Sequence, residues 1–286
     1  MKSWQFLSLF FLTLSLLSFR CTKHITPPPV TPPVVNNPPV VPADTVYHLV
    51  WSDEFNYTGL PDSTKWSYDV GNSGWGNNEL EYYTSQRAQN ARVSGGNLII
   101  EADRENYGGS GYTSARLITK GKAEWKYGKI EVRAKLPRGI GTWPAIWMLG
   151  SETPLVWPDD GEIDVMEEVG FDPGMIHGTV HTKSFNWVLG TQKTDSVAVK
   201  DAADSFHVYS LTWTPSSIAI AVDSTPYLTF VNTQAGFDQW PFDHSCFLIL
   251  NLAIGGNWGG QAGVDNTIFP QQMLVDYVRV YQRNNP

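Results

Sequence analysis

From about residue 45 to residue 284 the chain alternates apolar and polar residues with a period of two, and no stretch sustains a helical period. "KIEVRAKL" (129–136) sets Ile130, Val132, Ala134 and Leu136 against Lys129, Glu131, Arg133 and Lys135. That pattern is a strand with one buried and one wet face. "SIAIAVD" places Ile218, Ile220 and Val222 on one side, and "NLIIEA", "CFLILNLAI" and "VDYVRVYQ" are further strands. Clusters of Gly, Pro, Asn and Asp separate them, as in "YGGSGY", "LPRGIG", "WPDDG" and "GGNWGGQAG", and these are turn signals. Many strands with turns between them predict an all-β fold, a two-sheet sandwich over 45–284. No internal repeat interrupts it.

The N-terminal segment has a different logic. In "MKSWQFLSLFFLTLSLLSFRC" one Lys precedes an apolar run from Phe6 to Phe19, short for a bilayer span and suited to a signal-peptide core. The run ends at Cys21, as bacterial lipoprotein signals do, although "SFRC" lacks the small residues such signals prefer before the acylated Cys. The expectation is a lipoprotein-type signal over 1–21 with Cys21 lipidated; an ordinary signal cut nearby is the alternative. Residues 22–44, "TKHITPPPVTPPVVNNPPVVPAD", hold a dense share of the 19 prolines and form an extended spacer, with His24 solvated in it. A cell-surface or secreted domain follows, anchored at a bacterial outer membrane and touching lipid only through the anchor. Cys246, the other cysteine, lies in an apolar run and is expected to be a buried, inert thiol.

Charge excludes some partners. The formal net charge of −8 argues against nucleic acid and other polyanions, which call for basic patches. Twelve Trp residues serve either core and interface packing or ligand contact, since indole rings also stack on flat, weakly polar ligands.

The stretch "GEIDVMEEVG" (161–170) concentrates four carboxylates, Glu162, Asp164, Glu167 and Glu168, among apolar neighbours. In a regular strand Glu162, Asp164 and Glu168 share a face, yet Glu162 and Glu168 stand about 20 Å apart at roughly 3.3 Å per residue. Glu167 is nearer but on the opposite face. One extra residue near Val165–Met166, a β-bulge, turns Glu167 to join Glu162 and Asp164. Two carboxyls about 5 to 5.5 Å apart are the arrangement of retaining glycoside hydrolysis, and Asp164 between them pushes their protonation apart. A solvated acidic strand face or a Ca²⁺ site are the competing readings of these acids.

With "GTWPAIWMLG" (141–150) before it, this motif resembles family 16 glycoside hydrolases, specifically the laminarinase-like endo-β-1,3-glucanases. The likeness extends through "WSDEF" (51–55), "NNELEYYT" (77–84), "GGNLII" (95–100), "YTSARLIT" (112–119), "YGKIEVRAKLP" (127–137), "HGTVHT" (177–182), "LNLAIGGNWGG" (250–260) and "VDYVRVYQ" (275–282). The resemblance implies a concanavalin-like β-jelly-roll sandwich with an open concave cleft. It makes Glu162 the nucleophile, Glu167 the acid/base and Asp164 the residue that orients and tunes Glu162; Glu168 matches no catalytic position. It also implies sugar contacts from Trp143, Trp147, Asn77, Glu81, Arg116, His181 and Trp258, with His177 structural. Catalysis needs no cofactor by this likeness. One structural Ca²⁺ is expected on Glu54, Gly96 and Asp276, ligands that suit a hard cation.

The substrate implied is a laminarin-type β-1,3-glucan, and the protein is expected to be a monomer. Activity on mixed-linkage β-1,3-1,4-glucan, or on agar- or carrageenan-type galactans, is an alternative within enzymes. A non-catalytic carbohydrate-binding module is the alternative outside them, and the presence of all three motif acids speaks against it.

Overall fold

A computed structural model describes residues 46–283; the predicted signal, the lipidation site Cys21 and the Pro-rich spacer lie outside the described residues. The strands in chain order are β1 (Tyr47–Asp53), β2 (Ser67–Asp69), β3 (Glu81–Tyr83), β4 (Ala91–Ser94), β5 (Asn97–Ala102), β6 (Tyr112–Ser114), β7 (Arg116–Ile118), β8 (Gly128–Lys135) and β9 (Thr142–Gly150). They continue as β10 (Glu162–Glu167), β11 (Met175–His181), β12 (Lys193–Ala198), β13 (His207–Trp213), β14 (Ser217–Val222), β15 (Thr225–Val231), β16 (Cys246–Ile254) and β17 (Gln271–Arg283). No helix occurs among the described residues, as the period-two pattern predicts.

Two antiparallel sheets stack face to face. One runs β15-β14-β13-β8-β17-β5-β4, with β1 added on β17; the other runs β12-β11-β10-β9-β16-β7-β2. This is the expected jelly-roll sandwich. Its core is the alternation made physical: Ile130, Val132 and Ala134 of β8 and Ile218, Ile220 and Val222 of β14 point inward, against Ile146 and Met148 of β9 and Leu248, Leu250 and Leu252 of β16. Burial of side chains of this size contributes about 1.5–3 kcal/mol each, so the inward face sets strand register. Cys246 is buried and free, and burial pushes its thiol well up.

The other faces of β9, β10, β11 and β16 do not meet the core. A period of two leaves Trp143, Ala145 and Trp147 of β9, and Asn251 and Ala253 of β16, on the outer side, where they line a cleft of about 440 Å³.

The two carboxylates among the candidate Ca²⁺ ligands are engaged by arginines, which speaks against that expectation. Glu54 takes both Nε–H (3.0 Å) and Nη2–H (2.8 Å) of Arg279, and this guanidinium holds its carboxyl below the usual range. Asp276 accepts from Arg133 at 2.5 Å. Gly96 forms with Gly95 the two-residue turn of the β4–β5 hairpin, where Ser94 pairs with Asn97. Both glycines have positive φ (61° and 78°), the geometry a tight hairpin of this kind demands. The two ion pairs occupy the carboxylates of Glu54 and Asp276, so these side chains offer no free charge to a hard cation.

Candidate active site

The bulge in β10 is present. Against β9, Asp164 pairs with Trp147 and Met166 with Ile146, so Val165 is the extra residue; against β11 the register slips between Asp164 and Glu167. Ile163, Val165 and Met166 all belong to the core, two consecutive inward residues where a regular strand allows one. The result is that Glu162, Asp164 and Glu167 all line the cleft. Val165 is supported from the opposite sheet: Tyr227 of β15 donates its hydroxyl hydrogen to the Val165 carbonyl oxygen at 2.5 Å. A bulge leaves backbone groups outside the ladder, and a buried orphan carbonyl is costly. Nothing in the local sequence of β10 announces that partner, 62 residues away.

Glu168 faces the other way. It is 4% exposed and its Oε1 accepts the Gly174 N–H at 2.6 Å, tying β10 to the turn before β11. It does not line the cleft.

The three cleft acids are held by neighbouring donors. Trp143 Nε1–H donates to Glu167 Oε1 at 3.0 Å, and Trp157 Nε1–H donates to Glu162 Oε2 at 2.7 Å. His181, opposite Glu162 in the β10–β11 register, puts Nε2 at 3.3 Å from Asp164 Oδ2 and 3.9 Å from Glu162 Oε1. Glu162, Asp164 and His181 are also a group of three potential metal-ligating side chains, with atoms within 4.8 Å of one another.

Burial raises all three acids. It pushes Glu162 up to about 8, helped by the charge of Asp164 and opposed by His181 and the Trp157 bond. Burial and the charge of Glu162 push Glu167 up to about 7, opposed by His181 and Trp143. Burial and Glu167 hold Asp164 well above the carboxylate range. The carboxyls titrate as one system, and at neutral pH it keeps at least one proton beside at least one group able to ionise.

Of the remaining predicted contacts, Asn77, Arg116, Trp143, Trp147, His181 and Trp258 line the cleft. Arg116 is both wall and structure: its guanidinium lies 4.6 Å from the Trp147 ring and 4.8 Å from the Trp75 ring, with Nε 2.9 Å from Asp69. Trp147 donates Nε1–H to Asn251 Oδ1 at 2.8 Å. Trp258 stands edge-on between Trp143 (5.7 Å, 78°) and His177 (5.0 Å, 81°), so His177 lines the cleft and props an aromatic wall. The glycines beside Trp258 permit this approach. A Cβ on Gly259 would lie 2.8 Å from Trp143 Cβ and 2.6 Å from the Gly255 carbonyl oxygen.

Glu81 is the exception. It is fully buried and accepts the Ile254 N–H at 2.6 Å; it does not reach the cleft. The acid of "NNELEYY" that does so is Glu79, whose Oε2 accepts the Tyr83 hydroxyl at 2.9 Å. The two acids are two residues apart in one motif, and only the pairing of Glu79 with Gly255 decides which is exposed. Trp157 and Trp187 were also missed: they sit on loops, where no period marks a face.

Comparison with known proteins agrees with this geometry. The model for glycosyl hydrolases family 16 matches residues 78–279. A beta-glucanase of Rhodothermus marinus is 57% identical over 244 residues, spanning 82% of this chain and 85% of its own. The X-ray structure of the laminarinase from Rhodothermus marinus superposes with a TM-score of 0.82 at 56% identity, covering 84% of this chain and 99% of that one. A non-specific endo-beta-1,3(4)-glucanase of the same family, co-crystallised as a mutant with 1,3-beta-D-cellotriosyl-glucose, superposes with a TM-score of 0.81 at 51% identity, covering 83% and 95%. Sandwich, bulged acidic strand and sequence together establish that the chain belongs to family 16 of the glycosyl hydrolases.

Proposed function

We propose that the protein is an endo-acting, retaining β-1,3-glucanase that cleaves internal bonds of laminarin-type β-glucans. The observation that carries this is the extra residue Val165, which sets Glu162 and Glu167 on one face of an aromatic-walled cleft. The family's retaining mechanism needs no catalytic cofactor.

Glu162 attacks the anomeric carbon and Glu167 protonates the departing glycosidic oxygen; water, deprotonated by Glu167, then releases the glycosyl group from Glu162. The family motif makes Glu162 the partner that must ionise, and the Trp157 N–H at 2.7 Å and the nearby His181 imidazole favour a carboxylate there against the burial that raises it. Asp164 lies between them on the same cleft face, with His181 Nε2 3.3 Å from its Oδ2, and the charge of Glu162 favours a proton on Glu167. The indoles of Trp143, Trp147 and Trp258 offer apolar surface to the CH faces of glucosyl rings. Asn77, Glu79 and Arg116 offer hydrogen bonds to hydroxyls. Glucose suits such walls because its hydroxyls are equatorial; the axial hydroxyl of galactose interrupts one face.

A polysaccharide panel with product sizing tests the assignment. Laminarin is expected to be cleaved at least about tenfold more efficiently than lichenan, a gap of about 1.4 kcal/mol in transition-state binding, and far more than agarose, with oligosaccharides of mixed length and β-anomers first. Faster turnover of a galactan, or α-anomers, would reject it. A second reading, activity on both β-1,3 and mixed-linkage glucans, draws support from the solved β-1,3(4)-glucanase relative; equal rates on laminarin and lichenan would favour it.

The protein acts at the cell surface, held by acylated Cys21 on the Pro-rich spacer. The supporting feature is the apolar run that stops at that Cys, and a lipid with more than one chain gives stable anchoring. Cys21→Ser is expected to release the enzyme into the medium. A mature N-terminus downstream of Cys21 would refute the anchor.

A further inference from the structure

Beside the catalytic strand, on the β11–β12 side, the chain holds an apolar knuckle out to solvent. Trp187, Val188 and Leu189 are 47%, 62% and 61% exposed. Their exposure is built in, because Asn186 beneath them is 3% exposed and ties the turn down. Its Nδ2 donates to the carbonyl oxygens of Thr182 and Lys183, both at 3.1 Å. Its Oδ1 accepts the Leu189 N–H at 3.1 Å, and Thr191 N–H closes on the Asn186 carbonyl at 3.0 Å. Three consecutive large apolar residues are thus held out toward solvent by a turn that a buried polar side chain fixes, surface that a ligand can use.

The position says what binds. Trp187 lines the cleft, and its ring centroid is 6.1 Å from that of Trp157 at an interplanar angle of 37°. Trp157 in turn is 36% exposed and bonded to Glu162. Trp187 is thus one ring removed from the indole bonded to Glu162, and it lines the same cleft on the side of the β11–β12 loop. We infer that Trp187 is the stacking platform of an outer subsite, which takes a further glucosyl unit of the polymer on this side of the catalytic strand. It is a specificity-determining residue for chain length. The occupant is the glucan chain itself, since the platform is continuous with the cleft that holds it and lies open to the same solvent.

This inference rests on the proposed β-1,3-glucanase activity, and the experiment separates the two. Turnover of a laminari-trimer and a laminari-heptamer by the wild type is measured first. Lengthening the chain is expected to raise kcat/KM, and Trp187→Ala to reduce that gain by about three- to tenfold, the range of one aromatic stacking contact, chiefly through KM. Trp187→Phe is expected to restore most of it. An unchanged length dependence in Trp187→Ala overturns the subsite and leaves the function standing. So does an equal loss on trimer and heptamer, which marks a structural role. A wild type inactive on both chains overturns the function and the subsite with it.

Discussion

Glu168→Gln isolates what one inserted residue does to two adjacent acids. Glu167 opens to the cleft, whereas Glu168 is buried, its Oε1 on Gly174 N–H and its Oε2 without a hydrogen-bond partner. Burial pushes its carboxyl from an ordinary 4.5 up to about 7, against the pull of the Gly174 bond and Arg138. A raised folded-state value means that folding takes up a proton. The stability this group lends is complete below its unfolded value and is lost as pH rises through about 7. The difference corresponds to at most about 3 kcal/mol. Glutamine mimics the neutral acid in shape, keeps an oxygen for Gly174 and never ionises. Melting temperature measured from about pH 5 to about pH 8 should therefore fall less steeply in the variant. By the alkaline end it should stand roughly 5 to 10 °C above the wild type, relative to their acid-side difference. The amide donor introduced at the unpartnered position lowers both ends alike, so the slope carries the result. Turnover of laminarin should stay within about threefold of wild type, because the residue is outside the cleft. Parallel melting curves would refute the burial argument. Turnover lost to the degree seen in Glu167→Gln would refute the bulge as the device that selects the acid.

Glu162→Gln and Glu167→Gln should each lower kcat by about 10²- to 10⁴-fold, measured as reducing-sugar release. Glu167→Ala should retain turnover of glycosides with good leaving groups and yield a β-glycosyl azide when azide is added; an α-azide would contradict the covalent step. In the wild type, turnover should decline as pH rises through about 7 to 8, where the coupled carboxyls of Glu162 and Glu167 lose the proton they hold between them, and a profile flat to pH 9 would place the acid elsewhere. Tyr227→Phe removes the hydroxyl on the Val165 carbonyl and should destabilise by about 1–3 kcal/mol while lowering kcat more than KM rises; denaturant melts and steady-state kinetics check both. Chelator should leave the melting temperature unchanged, since Arg279 and Arg133 already neutralise Glu54 and Asp276, and a drop would restore the Ca²⁺ site.

The division of labour between chain and fold is visible residue by residue. Period-two alternation in "KIEVRAKL" and "SIAIAVD" was enough to name the strands and their inward faces, because burial of an apolar side chain on a pleated strand is a local property once one face is wet. The bulge was legible as well, since carboxylates spaced as Glu162, Asp164 and Glu167 can share a face only with an extra residue between them. What held that bulge was not legible: the Tyr227 hydroxyl comes from the opposite sheet, and sheet stacking is a long-range fact. The same limit explains Glu81 and Glu79, whose roles exchange because a loop pairs with Gly255 far along the chain. It explains Glu54 and Asp276, which look like free oxygen ligands until tertiary pairing brings arginines to them. Periodicity reports which way a side chain points from its own strand. Which partner it meets there depends on segments distant in sequence, and only the packed structure decides that.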